Sequence, residues 1–399
     1  MSRGAGPRKD HKAGTWWFVI DLPPGGDGRR RQAKRRGFRT RAEAQAALDE
    51  MRVARRQGTY VAPRRQTTGE FLQSDWLPAV RRELAESTWE SYERNIRHHV
   101  VPAIGPVQLQ ELDGAALNRL YADLLANGRK HGKQSPGLKP RTVRYIHSII
   151  HAALDDALRW HRVPVNAADQ ATPPSAKSAK PPEMHVWTGH ELATFLHRTE
   201  GDRYHWPWLF LATTGCRRGE ALAIRWQDID FKRRLAAIRQ ELIPLTKPSG
   251  RGREGRFVAR TKSDKPRVIE LDSRTVAALR TLRAHQGEER LLLGDAYTDL
   301  GLVFCRPDGR PYHPEAFSKT FDRRLSQSAF TDLPRIRLHD LRHTWATLAL
   351  VAGVDVKIVS ERLGHSSPLV TWQTYQHVIK GMQSDAAERV ADLIFGANA

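Results

Sequence analysis

The spacing of apolar residues divides the chain into three textures joined by stretches that bury little. Over residues 14–58 the run TWWFVIDL has the aromatic and β-branched content of a strand, and PPGGDG reads as a turn. Thr40 and Glu43 then make a capping box for a helix reaching Arg55 or Arg56, which predicts a small α+β unit. Residues 59–68, with Pro63 and two arginines, read as a linker. From 69 to 168 the period is helical throughout. Ser87 and Glu90 form a capping box ahead of TWESYERNIRHHVVPAIG, which Pro102 and Gly105 are placed to end. A further helix is predicted from roughly Gly114 to Ala126. Another runs from about Arg141 to Trp160, with Val143, Ile146, Ile150, Ala153, Leu154 and Ala157 at helical spacing. Four helices of this size make one compact bundle. ATPPSAKSAKPPE, near residues 170–183, is too rich in Pro, Ala and Ser to pack and marks a boundary.

The third texture, about 184–395, is mixed. Thr188 and Glu191 cap the helix ELATFLHRT, a second helix passes through WPWLFLATTG, and GCRRGEALAIRWQDID is helical from about Arg218. Strand-like runs follow at LAAIRQELI, FVARTK and RVIEL, then helices near 273–285 and 314–328. The last stretch, His339 to Tyr375, holds the densest chemistry. His339 and Arg342 stand three apart and share a helix face. Leu338, Leu341, Trp345 and Leu348 form a neighbouring apolar stripe. Gly353 is placed to stop that helix, Asp355 to cap the next, and Gly364 to close it. His365 and Tyr375 follow in a polar segment.

Charge narrows the partners. Lys+Arg 65 against Asp+Glu 44 gives +21 over 399 residues, which points to a polyanion, nucleic acid first. Arg29, Arg30, Arg31, Lys34, Arg35, Arg36, Arg39 and Arg41 follow one another with no acid between them, between strand and helix signals. That placement favours a basic sheet docked on DNA over a solvated charge run. In the helical unit Arg94, Arg97, Lys133, Lys139, Arg141 and Arg144 could line one surface or merely solubilise it. Two distant cysteines, Cys216 and Cys305, argue against a disulfide framework and a cysteine-rich zinc site. Without a CxxC or HExxH motif no metal or other cofactor is expected. No phosphate-binding GxxxxGK[ST] loop suggests a nucleotide-driven motor. No apolar run approaches a membrane span, and the N-terminus lacks a signal-peptide core, so a cytoplasmic protein is expected, at the nucleoid when bound to DNA.

Taken singly, the candidate chemical groups have plain structural readings. Arg217, beside Arg218, could pair with Glu220; Lys262 could be a turn lysine; His365 could cap a helix end; Tyr375 could be a surface aromatic. Together they fit one reaction. Phosphodiester cleavage calls for a nucleophile, paired cations on the non-bridging oxygens, and an acid for the departing alcohol. Arginine forks suit phosphate and stay charged. A tyrosine nucleophile conserves the bond energy as a phosphotyrosyl ester, with no call for metal or ATP.

Arg217 in TTGCRRGEALAIRW, Lys262 in TKSDKPRVIEL, His339 and Arg342 in LHDLRHTWAT, His365 in LGHSS and Tyr375 in TYQH resemble the signature of the tyrosine recombinase (phage integrase) family. The composition is similar to that of actinobacterial phage and integrative-element integrases. The resemblance implies a multidomain, mainly α chain. Its parts would be an arm-type DNA-binding domain of sheet plus helix at 1–62, a helical SAM-like core-binding domain at 66–168, a linker at 169–183, and a mixed α+β catalytic domain at 184–399. By the same resemblance Tyr375 would be the nucleophile, Arg217 and Arg342 would clamp the phosphate, and Lys262 would protonate the leaving 5′ oxygen. His339 would assist proton transfer at the tyrosine, His365 would hydrogen-bond the phosphate, and Glu220 would buttress Arg217. Lys265 competes with Lys262, because KPSGRGREGRFVA adds residues upstream. The tail carrying Met382, Ala386, Val390, Leu393 and Ile394 would dock on a neighbouring protomer of a tetramer assembled on double-stranded attachment-site DNA, with an excisionase or a host DNA-bending protein as possible accessory partners. The competing readings are a dimer-resolving recombinase, a topoisomerase, and a non-catalytic regulator in which TLALVAGVDVKIVSERLGHSS is a helix-turn-helix.

Overall fold

The computed structural model describes residues 6–22, 31–56, 60–128, 137–180, 184–246, 253–259, 266–375, 390–391 and 394–396. The chain forms two compact units, Met1–Pro181 and Pro182–Ala399.

The first unit opens on an antiparallel meander of β1 (Arg8–Asp10), β2 (Thr15–Leu22) and β3 (Arg31–Phe38), followed by α1 (Arg41–Arg56). Alternation along β2 turns Phe18 and Ile20 inward, where they meet Ala44 and Leu48 of α1. The helix start is as expected: the Glu43 amide donates to Thr40 Oγ1 at 3.1 Å, and the Arg39 amide to the Glu43 carboxylate at 2.9 Å.

The helical part departs from expectation at its prolines. A continuous helix, α2, covers residues 68–80, and α3 covers 86–104. Each is wound as a π-helix in the middle, at Phe71–Trp76 and Ile96–Val100. Both wide turns end just before a proline, Pro78 or Pro102. A proline offers no N–H and crowds the preceding turn, and local widening lets the helix pass it. Pro102 therefore does not itself end α3, which runs on to Ile104 and stops at Gly105, as expected of that glycine. Ser87 makes no cap either. Ala85 holds the N-cap position and the helix begins at Glu86, whereas the capping box of this region is Thr67 with Glu70. α4 (Gly114–Asn127) and α5 (Pro140–Arg159) complete the bundle around Phe71, Trp76, Leu117 and Ile146. The Trp76 indole donates to the buried Asp156 carboxylate at 2.7 Å. The stretch expected as a free linker is partly fastened. The Thr172 amide donates to Asn118 Oδ1 at 2.7 Å, and Arg144 donates to the Pro174 carbonyl at 2.9 Å.

The second unit is built around α7 (His205–Thr214), apolar nearly all round, with α6 (Gly189–Arg198), α8 (Arg218–Ala223), α9 (Ser273–Leu293) and α11 (Asp340–Val351) against it. Phe195, Trp208, Phe321 and Phe330 fill its centre; Phe321 comes from α10 (Pro314–Arg324). LAAIRQELI is two strands, not one. β4 (Ile229–Asp230), β5 (Leu235–Ile238) and β8 (Arg267–Glu270) form one small sheet, and β6 (Gln240–Thr246) with β7 (Arg253–Ala259) forms a separate hairpin. α9 runs past its expected end because Gln286 is buried in it, accepting from the Trp226 indole and donating to the Val303 carbonyl, both at 2.8 Å. After α11 come α12 (Val356–Leu363) and a last helical segment at 368–375. Asp355 caps α12 through the Lys357 amide at 2.7 Å, and Gly353 and Gly364 both adopt positive φ, as placed.

Candidate active site

Two left-handed glycine turns build the centre of the site. Gly215 ends α7 at φ 68° and Gly364 ends α12 at φ 67°. A Cβ on Gly215 would lie 2.8 Å from the Trp345 ring, so packing as well as backbone requires glycine there. The carbonyls exposed at these turns accept from two arginines. Arg342, only 3% exposed, donates to the Gly215 and Leu363 carbonyls at 2.8 Å each. Arg217, at the N-terminus of α8, donates to the Gly364 carbonyl at 3.1 Å and to Glu220 at 2.9 Å. Leu363 and Gly364 are consecutive, so the two guanidinium groups are brought side by side. Each has five N–H donors in a rigid fork, and these bonds use only some of them.

Glu220 is the counter-charge. It is 1% exposed and also receives a fork from Arg267, at 3.1 and 2.6 Å. Burial opposes its ionisation, but Arg267 and Arg217 outweigh burial and hold the carboxyl at about 2. Burial and the charge of Arg217 bring the Arg342 pKa down to about 10. Arg267, an arginine in a strand, was not anticipated from sequence: its partner lies 47 residues away and meets it only through the fold. Arg218 turns elsewhere, donating to Ser318 Oγ at 2.8 Å. A cleft of about 340 Å³ lined by Arg217, Arg218, Gly219, Ser318, Leu338 and His339 opens beside the arginines.

His365 follows Gly364 directly and bonds Thr371 Oγ1 through Nδ1 at 2.7 Å. Desolvation, then Arg342 and Arg217, lower its pKa to about 4, so it is neutral near pH 7. Crowding by protein, His343 and Arg342 push His339 down to about 4 as well, although one side of the residue is open to solvent. Tyr375 is fully buried among Ala346, Leu350, Val359 and Leu363. Its burial raises its pKa to about 12 against the pull of Arg342. The histidine touching the Tyr375 hydroxyl is His343, with Nδ1 at 2.7 Å; His339 meets the His343 ring edge-on, centroids 5.2 Å apart. His343 was missed in the sequence, though HDLRH places it four residues after His339 on the same helix face. Lys262 and Lys265 lie outside the described residues, as do Arg29, Arg30, Lys133, Met382, Ala386 and Leu393. Val390 and Ile394 are exposed.

Away from this centre, the outer face of the first sheet is basic and aromatic. The Lys34 ammonium stands 4.0 Å from the Trp17 ring centroid and the Arg8 guanidinium 5.6 Å away. Lys34 and Arg36 are exposed opposite Val19 and Trp17, while Arg35, opposite the inward Phe18, is half-buried. Arg31 begins β3, Arg39 and Arg41 are exposed at the start of α1, and Lys139, Arg141 and Arg144 are exposed at the start of α5. Arg94 is exposed on α3, and so is Arg97, paired to Glu93 at 3.0 Å.

Three family models match the chain in series: an arm DNA-binding domain at residues 8–54, the N-terminal SAM-like domain of phage integrases at 68–125, and the phage integrase family at 189–382. The chain belongs to the phage integrase family of tyrosine recombinases. A XerC-like tyrosine recombinase of Caldanaerobacter subterraneus subsp. tengcongensis is 24% identical, over 96% of this chain and 97% of the relative. An integrase of Streptomyces ambofaciens is 25% identical, over 95% and 94%. In fold the chain resembles the Tn1549 transposon integrase in complex with transposon right end DNA, with TM-score 0.63, 17% identity, and 82% and 99% of the two chains covered. It also resembles a lambda integrase tetramer bound to a Holliday junction, with TM-score 0.51, 14% identity, and 94% and 95% covered. The architecture is accordingly multidomain and mainly α, with an arm-binding, a SAM-like and a catalytic domain. Among the described residues no helix is long and apolar enough to cross a membrane.

Proposed function

We propose that this enzyme, a site-specific DNA recombinase by family, integrates and excises a mobile element through a phosphotyrosyl intermediate formed at Tyr375. Arg217 and Arg342 hold the non-bridging oxygens of the scissile phosphate. His365 donates a hydrogen bond to it from the ring nitrogen not engaged with Thr371. Lys262 protonates the 5′ oxygen as it leaves, and His339 lies at the mouth of the site beside the same phosphate. A second DNA end then reverses the step with its own 5′ hydroxyl. The arm domain grips DNA by the Trp17, Lys34 and Arg36 face of its sheet, with Lys139, Arg141 and Arg144 on the core site. The working assembly is a homotetramer on DNA, with the C-terminal tail bridging protomers.

One observation carries this reading: two guanidinium groups are fixed side by side on the carbonyls of Leu363 and Gly364, over a single buried carboxylate. Adjacent cations held by main-chain carbonyls are preorganised for an anion and need no rearrangement when charge develops on phosphate. A regulator using α11 and α12 to read DNA would leave this arrangement without a task. The test is a nicked duplex built from the directly repeated sequence that flanks the element carrying the coding region. Tyr375→Phe should bind it with unchanged affinity and form no covalent adduct; adduct formed by the variant would refute the nucleophile.

A further inference from the structure

Resting on Tyr375 as nucleophile, we infer that His343 is the general base that takes the tyrosine proton, and returns it when the strands are rejoined. Among the described residues it is His343 that hydrogen-bonds the Tyr375 hydroxyl, at 2.7 Å, well inside proton-transfer reach. With the ring proton on Nε2, Nδ1 is the acceptor and the phenol the donor. As the tyrosine oxygen forms its bond to phosphorus, its O–H bond breaks and the proton passes to Nδ1. The P–O5′ bond breaks with its electron pair remaining on the 5′ oxygen, which is protonated by the acid assigned above. In the reverse step the imidazolium hands its proton back to Tyr375.

The surroundings suit a neutral base. His343 is half-buried in the first turn of α11, and desolvation lowers its pKa; Asp340 raises it, and Arg342 and Arg337 lower it. The groups that face it are these three, the His339 ring edge-on, and Tyr375 itself. Arg337 is drawn off by a two-point pair with Asp340, at 3.0 and 2.8 Å. His343 thus approaches neutral pH uncharged, next to a phenol that burial keeps protonated. Among the described residues His339 meets the His343 ring edge-on and it is His343 that bonds the hydroxyl, which makes His339 a positioning residue for the proton step.

The experiment follows adduct formation in single turnover on the same nicked duplex, with the full-length protein, from pH 6 to 9.5. His343→Asn keeps an acceptor near the position of Nδ1 but cannot take up a proton. It should bind DNA and unfold as the parent does, and cleave about 10²- to 10⁴-fold more slowly at neutral pH. Its rate should climb about tenfold per pH unit as hydroxide replaces the missing base, narrowing the gap to the parent at high pH. His343→Gln serves the same comparison if the Asn variant does not fold. Cleavage at the parental rate, or a loss of constant size at every pH, overturns the assignment, the latter leaving only a tether. Tyr375→Phe run alongside separates the two levels: adduct in that variant defeats the nucleophile itself, whereas a dead Tyr375→Phe beside a normal His343→Asn defeats only the base.

Discussion

Replacing Glu220 with glutamine removes one charge and almost no volume from the centre of the catalytic unit, and its cost follows from the structure. The carboxylate is 1% exposed and receives both Arg217 and Arg267, whose side chains are 35% and 10% exposed. Holding this carboxyl at about 2 instead of 4.5 corresponds to about 3 kcal/mol of folded-state preference for the charged form. Stripping one partner from a buried ion pair costs about 3–5 kcal/mol by a separate route. The two figures agree, and about 3 kcal/mol should lower the unfolding temperature of a unit this size by roughly 6–12 °C. The sign with pH is fixed as well. A depressed carboxyl pKa adds stability that is complete above the ordinary value of 4.5 and disappears as pH falls towards about 2. Thermal and urea unfolding of Glu220→Gln and the parent, compared at pH 7, 4 and 3, should therefore show a gap that is full at pH 7 and shrinks in acid. A gap that is negligible at pH 7, or equal at all three pH values, would refute the account of Glu220 as the ionised partner of both arginines.

Two further outcomes are expected. Gly215→Ala forces a side chain into a left-handed backbone 2.8 Å from Trp345 and should lose about 2–4 kcal/mol, strain and overpacking together. It should also cleave poorly, because Gly215 supplies an Arg342 acceptor. Gly353→Ala has positive φ but no atom within 4 Å, so it should lose only about 1–2 kcal/mol and cleave normally; equal behaviour of the two in unfolding and cleavage assays would sink the packing argument. Lys34→Ala and Arg36→Ala should each reduce the dependence of log affinity on log salt by about 0.9 for arm-type DNA and leave core-type DNA unaffected. Gel-shift titrations over a salt series measure this, and unchanged slopes would remove the sheet face from the interface.

Much of this was readable in the sequence because the informative signals are local. The Thr188–Glu191 box, the Asp355 cap and the glycines at 353 and 364 act within a few residues of themselves, and the structure has them as expected. The repeated signal type was less secure where two starts compete: Ser87 yielded to Ala85, since the carbonyl of Ala85 already accepts from the Thr88 and Trp89 amides. Pro102 misled for a different reason. A proline forbids a regular helix, not a helix that widens first, and nothing local announces the π-wound turn. Arg267 was illegible because its role depends on β8 lying beside β5 and within reach of α8. His343 was legible and overlooked: its partner is 32 residues away, but its shared face with His339 needed only the helical period.

The two basic regions of the chain do different physical work, and their construction differs accordingly. The sheet cations of the arm domain stand in water, Lys34 leaning on Trp17; in the proposed role they attract DNA at long range and are screened by salt. In the catalytic unit Arg217 and Arg267 bond one buried carboxylate, and Arg342, held on main-chain carbonyls, lies close enough to feel the charges of all three. Burial and then the repulsion of Arg217 lower the Arg342 pKa, while Arg267 and Arg217 lower that of Glu220 against its burial. The rigid acceptors that hold Arg342 there are main-chain carbonyls, whose dipoles offset charge without cancelling it. A phosphodiester brings one negative charge and two non-bridging oxygens to such a site, relieving the repulsion and satisfying open donors together. On the proposed function, outer cations bring DNA in without selecting a bond, while the inner pair favours a phosphate seated between Arg217 and Arg342. On that reading, selectivity for one phosphate lies in the paired arginines fixed by two glycine turns, not in the number of positive charges on the chain.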